Sequence, residues 1–134
     1  MSIAASLQQY LQRNGIAFQL HPHAPESSLS KLGLALGIEP SQIAVPVLLQ
    51  SARKASLMAV MPLSHSLDLD RVAALLRREF HYMDDAAIAA WFPDVVPGAE
   101  PPVPEAYALP AIIDRNLMKV PRVFFRAGSP AGMI

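Results

Sequence analysis

Few residues of this chain have both the type and the spacing for chemistry. His21 and His23 flank Pro22, an arrangement suited to a substrate amine or a metal ion. A metal site needs a third ligand and the sequence points to none, so no metal is expected. Ser27, His21 and Asp114 supply the residue types of a hydrolytic triad, but no G-x-S-x-G string exposes the serine, and that reading is set aside. Asp114 ends an apolar segment. A carboxylate there is costly if buried alone, so it sits at a pocket mouth or pairs with a base such as Arg115 or Arg126. Arg71, Arg77, Arg78, Arg115, Arg122 and Arg126 could gather into a local phosphate-binding face or be solvated separately, and their spacing does not choose. His65 and His81 read as ordinary surface or partly buried histidines.

Composition narrows the classes. The 134 residues carry 11 Lys+Arg against 11 Asp+Glu, so there is no global positive field to collect nucleic acid, and any RNA contact must be local. A hydrophobic fraction of 52% suffices for one continuous core, which predicts a single domain over 1–134. The absence of cysteine excludes disulfides, thiolate nucleophiles and Cys-based zinc sites. No apolar run approaches the roughly 20 residues of a membrane span, and the first residues lack a basic leader, so we expect a cytoplasmic protein with no membrane partner.

The elements that would position these residues follow from periodicity. Ile3, Leu7, Tyr10 and Leu11 share one face of a first helix that Gly15 stops. A short strand is expected over Ala17–His21, then a helix capped by Ser28 and running to Leu36. The apolar runs Ile43–Gln50 and Leu57–Met61, joined by SARKAS, read as a central hairpin, although Pro46 belongs at an edge, a bulge or a strand start. Asp68 or Asp70 opens a third helix, and Asp84 or Asp85 a short fourth one. Five prolines between Pro93 and Pro104 make a stiff loop around Gly98. Ala111–Asp114 and Arg122–Arg126 are the last strands before the Gly128-Ser129-Pro130 turn. Two strand connections are too short for a parallel crossover, so the sheet must be mixed.

Read in order, the strings His21-Pro22, Leu36-Gly37, Pro40-Ser41-Gln42-Ile43-Ala44-Val45-Pro46-Val47, Leu67-Asp68-Leu69, Pro97-Gly98-Ala99-Glu100-Pro101-Pro102, Ile112-Ile113-Asp114 and Ala127-Gly128-Ser129 resemble the YbaK/prolyl-tRNA editing family. These domains hydrolyse amino acids wrongly esterified to tRNA. The resemblance implies an α+β fold with a mixed, partly barrel-like sheet flanked by helices, no cofactor, and the aminoacylated 3′ end of tRNA as partner. It makes His21 a pocket-rim residue and Gly98, Asp114, Gly128 and Ser129 substrate-pocket candidates, the last two through backbone donors and a hydroxyl. The structural alternatives are a positive φ at Gly98 and a tight turn at Gly128-Ser129.

One departure stands at the centre of the pattern. Where the family reads A-K-T, this chain reads Ala44-Val45-Pro46. Valine neither donates a hydrogen bond nor stabilises an oxyanion, and Lys31 and Lys54 fall on other elements. A replacement side chain from elsewhere is left open. Members also continue beyond A-G-S through a further strand and helix, which suggests that this chain lacks its C-terminal end or is cut from a longer one. Relatives without the lysine occur as the front module of regulatory proteins. The expectation is therefore an editing domain of weak or absent activity, or else a ligand-binding module with a fused or partner signalling domain.

Overall fold

The computed structural model describes residues 3–22, 29–120, 122–128 and 132–134. In chain order these form α1 (Ala5–Arg13), the short strand β1 (His21–Pro22), α2 (Leu29–Leu36), β2 (Ala44–Ser51), β3 (Ser56–Pro62), α3 (Leu69–Leu76), β4 (Phe80–Tyr82), α4 (Asp85–Trp91), β5 (Ala111–Ile113) and β6 (Gly132–Met133). Turns of 3₁₀ helix occupy Pro40–Gln42, Pro104–Tyr107 and Arg115–Lys119. Ser28, His23 and Ser129 lie outside the described residues.

The two apolar runs form the expected hairpin. β2 pairs with β3 from Ala44↔Pro62 to Gln50↔Ser56, and the sheet order is β4-β2-β3-β5. β2 is antiparallel to both neighbours, whereas β5 joins β3 in parallel, so the sheet is mixed. Among the described residues it stays open rather than closing toward a barrel: β4 and β5 remain edges.

Alternation along the hairpin divides the core. Ala44, Leu48, Met58 and Val60 face one side, where they meet Met83, Phe92, Tyr107, Leu109 and Leu117. Leu49, Leu57 and Ala59 face the other and are covered by Val72 of α3, with Val47 and Ile112 alongside. Period-2 geometry explains the split, and cover on both faces explains why β3 reads as an unbroken apolar run. A third cluster packs Leu7 and Leu11 of α1 against Ala127 and Ile134.

Caps settle the helix starts left open by the sequence. The Asp68 side chain accepts from Asp70 N and Arg71 N, and Asp84 from Ala87 N. Each satisfies backbone donors that the first helical turn cannot.

A partly buried tether holds α1 in place. Asp94 Oδ2 accepts from Ser6 N at 2.7 Å, and Tyr107 Oη donates to Asp94 Oδ1 at 3.0 Å. Burial alone would raise the Asp94 carboxyl, but these hydrogen bonds favour the anion and hold it below its ordinary value. Burial, reinforced by the neighbouring carboxylate, pushes the Tyr107 hydroxyl up.

Two strand expectations are corrected. Of Ala17–His21 only His21 enters a strand, pairing with Met133 in the two-residue ladder of β1 and β6, because residues 17–20 meet no partner strand among the described residues. Arg122–Arg126 makes isolated bridges, Phe124 with Ile43 and Arg126 with Met133. It splices the main sheet to the small one. β4 was not legible, since Phe-His-Tyr carries neither length nor alternation.

Candidate functional site

The site lies on the outer edge of β2. At one end β4 pairs with Leu49–Ser51, and Met83 N donates to Leu48 O at 2.9 Å. At the other end Ala44 N donates to Phe124 O at 2.9 Å. Between them, among the described residues, no strand pairs with residues 45–47 on that side. The gap opens a cleft of about 360 Å³ whose lining includes Val45, Pro46, Val47, Tyr82, Ile88, Gly98, Glu100 and Arg126.

Backbone direction fixes what this edge can offer. Ala44 and Leu48 turn their hydrogen-bonding groups outward, away from β3, and alternation places those of Pro46 on the same side. Proline has no N–H, so no ladder bond to β3 is lost and the edge presents no donor at position 46. This answers how a proline fits inside a central strand.

The loop facing β2 carries Gly98, whose φ of +92° demands glycine in practice, and a Cβ added there would meet nothing within 4 Å. A ligand can therefore approach that backbone closely. Gly98 N donates to Glu100 Oε1 at 3.2 Å, which folds the carboxylate back along the loop. Arg126, 5% exposed, lines the cleft from the 122–126 segment.

Of the sequence-derived candidates, Val45, Pro46 and Gly98 converge here. His21 is placed by its backbone in β1. Gly128 does not line the cleft: its φ is +105°, and an added Cβ would stand 2.6 Å from Ala4 Cβ, so glycine there lets α1 approach. Its carbonyl accepts from Val96 N at 2.9 Å. Asp114 stands at the far edge of the sheet, two strand spacings or about 10 Å from β2. There it caps the 3₁₀ turn by accepting from Asn116 N at 2.8 Å, rather than pairing with an arginine. Lys31 and Lys54 do not line the cleft. Of the six candidate arginines, all but Arg126 are exposed, with Arg71, Arg77 and Arg78 together on α3 and its C-terminal end and Arg115 and Arg122 elsewhere.

Sequence reading missed Glu100 and the placement of Arg126. A signal existed for the latter: an arginine between Phe125 and Ala127, in a strand-like segment, is a charge bound for the interior.

The sequence matches the family model described as "Aminoacyl-tRNA editing domain" over residues 23–132. The chain belongs to this family. The matched span includes β2, the Gly98 loop and the 122–126 segment, and hence both walls of the editing domain's cleft. Solved structures share the fold. A "putative trans-editing enzyme for prolyl tRNA synthetase" superposes with a TM-score of 0.82 at 20% identity, covering 97% of this chain and 83% of that one. A scaffold protein used for epitope backbone grafting gives 0.81 at 24% identity, covering 97% and 83%. A "putative signal transduction protein" from Marinobacter aquaeolei VT8 gives 0.71 at 18% identity, where 98% of this chain matches 26% of a much longer one.

Proposed function

We propose that the cleft receives the aminoacyl group at the 3′ end of a mischarged tRNA and hydrolyses its ester slowly. Water adds to the ester carbonyl, the bond to the ribose oxygen breaks, and the proton lost by water ends on that hydroxyl. The products are free amino acid and uncharged tRNA. Supporting this reading is the unpaired 45–47 stretch of β2, which faces the sterically open Gly98 backbone across the cleft.

Slowness follows from the same stretch. The family resemblance puts an ammonium at position 45, and here it is an isopropyl group beside a proline that offers no N–H. One missing charge-assisted donor to the developing oxyanion costs about 3 kcal/mol, or about a hundredfold in rate. Val45→Lys restores the charge and is expected to raise deacylation by about that factor. The assay is release of radiolabelled amino acid from a panel of mischarged tRNAs with protein in excess. If neither the native chain nor Val45→Lys releases amino acid from any of them, the reading is wrong.

A second reading, a non-catalytic ligand-binding module of a larger signalling protein, is favoured by the coincidence of Val45 with Pro46. Together they remove a charge and a backbone donor from one edge. The similarity to a quarter of a longer chain described as a signal transduction protein is compatible with it. Under this reading Val45→Lys leaves the chain inactive.

A further inference from the structure

Two backbone groups on the free edge of β2 meet no partner among the described residues. The hydrogen bond from Leu63 N to Ile43 O at 2.8 Å turns the odd-numbered residues of this stretch toward β3, so Pro46 and Leu48 face outward. Leu48 O already accepts from Met83 N at 2.9 Å, but Leu48 N has no acceptor, although the residue is buried in the cleft wall. Pro46 O likewise has no donor. An orphaned N–H in such a place is rare, and it calls for a partner arriving from the cleft.

The chain itself shows, on this same edge, what such a pair of groups can hold. Phe124 sits opposite Ile43 in a parallel bridge, its N–H donating to Gln42 O at 2.8 Å and its C=O accepting from Ala44 N at 2.9 Å. A single residue thus satisfies an acceptor and a donor that lie on alternate positions of the strand. Extending that ladder to a second bridge, opposite Val45, would need an N–H at position 46, and proline has none. Pro46 O and Leu48 N repeat the acceptor and donor spacing further along, opposite Val47. We infer that the aminoacyl group binds there as a one-residue parallel bridge, its α-ammonium donating to Pro46 O and its ester carbonyl accepting from Leu48 N. The inference rests on the reading that this cleft takes an aminoacyl group, and adds the atoms that position it.

The edge admits one residue in the strand line. Just beyond, Met83 N occupies Leu48 O, so the ester oxygen must turn away from β2 at that point. Residues directly opposite in a sheet share a face, which puts the aminoacyl side chain on the side of Val45, Val47 and Tyr82, all of them in the cleft lining. The ammonium is a charged donor, and its bond to Pro46 O is roughly twice as strong as that of a neutral one. When water adds to the ester, the carbonyl oxygen gains charge while Leu48 N–H already holds it. The backbone thereby supplies an oxyanion donor that valine at position 45 does not, and hydrolysis is slow rather than absent.

Amide spectra of the 15N-labelled chain test the inference, with 3′-aminoacylamino-3′-deoxyadenosines carrying L-alanine, L-valine or L-proline as stable probes. At least one should bind, move the Leu48 amide proton downfield and slow its exchange on the order of tenfold or more. The amides of Val47 and Leu49, directed at β3, should move less. The deamino counterpart of the probe that binds should be on the order of tenfold weaker, for want of the charged donor. Replacing Leu48 by its α-hydroxy acid keeps the side chain and deletes the N–H, and should weaken the probe on the order of tenfold with little change in melting temperature. The same exchange at Leu49 should do the reverse, lowering the melting temperature and leaving affinity unchanged. Binding that moves the amides of Val45 and Gly98 but leaves Leu48 still would overturn this inference alone, as would equal affinity for the deamino compound or for the Leu48 hydroxy-acid chain. If no probe moves any cleft amide at millimolar concentration, the reading that the cleft takes an aminoacyl group fails, and the inference fails with it.

Discussion

The carboxylate of Asp94 ties the first helix to the loop that continues into the cleft wall, and its energetics can be read at the level of single atoms. It accepts from Ser6 N and from the Tyr107 hydroxyl, so Asp94→Ala leaves two donors unmatched. The expected loss is about 2–3 kcal/mol in a urea titration, against about 1 kcal/mol for Tyr107→Phe, which removes only the neutral partner. The pH dependence has a definite sign. A carboxyl held below its unfolded value of 3.8 stabilises the fold fully above that value, and this contribution disappears as pH falls through the lower folded value. Native chain should therefore lose urea resistance below about pH 4 more steeply than Asp94→Ala. Parallel slopes for the two would remove Asp94 from the account. None of this was legible beforehand, because Asp94, Ser6 and Tyr107 are far apart in sequence and each is unremarkable in its own segment. Val45, Pro46 and Gly98 were legible as site residues only through the ordered strings around them. Arg126 was visible as a residue but not as part of the site, since its placement depends on the fold of the chain end.

Element by element, the sequence was most informative where an element owes its form to its own pattern. The β2–β3 hairpin, α1, α3 and α4 show periodicity or caps that local physics reads directly. Short strands β1, β4 and β6 exist because a partner pairs with them, and their two or three residues carry no pattern of their own. Pro46 shows how direction matters within one strand. Its missing N–H faces the cleft, so Pro46→Ala should change stability by no more than about 1 kcal/mol, mostly through the freer unfolded chain. Val47→Pro, one residue on, removes a donor aimed at β3 and should cost about 3 kcal/mol or more. Equal costs in thermal melts would refute the assigned edge direction. Gly128 offers a test of the α1 contact. Gly128→Ala combines a left-handed φ with a 2.6 Å approach to Ala4 Cβ, and should cost about 2–4 kcal/mol. Adding Ala4→Gly should return part of it, because the overlap is relieved while the backbone strain stays. Purely additive losses would show that the two residues do not meet.

At the scale of the molecule, the cleft joins two bodies of unequal firmness. One is the β2–β3 hairpin, with β3 buried on both faces and paired along both edges. The other is the assembly of α1, the Gly98 loop and residues 122–128 and 132–134, held by Leu7, Leu11, Ala127 and Ile134, by the Asp94 tether and by two-residue β1–β6 pairing. Local opening free energy tracks buried apolar contact and ladder length, so amide exchange should be slowest at Met58–Val60 and faster in α1 and at Met133. The bridge at Ile43↔Phe124 connects the bodies on the cleft side, so partial opening of the second body parts the walls carrying Val45 and Arg126. A ligand held by both walls must then close that opening. With a non-hydrolysable amide analogue of aminoacyl-adenosine at saturation, exchange at Gln8, Leu11 and Phe125 should slow on the order of tenfold or more. Exchange at Met58 should change less, since its amide already opens only with the whole hairpin. Uniform protection across both bodies would mean that they open as one unit, and protection confined to β2 would mean that the ligand touches a single wall.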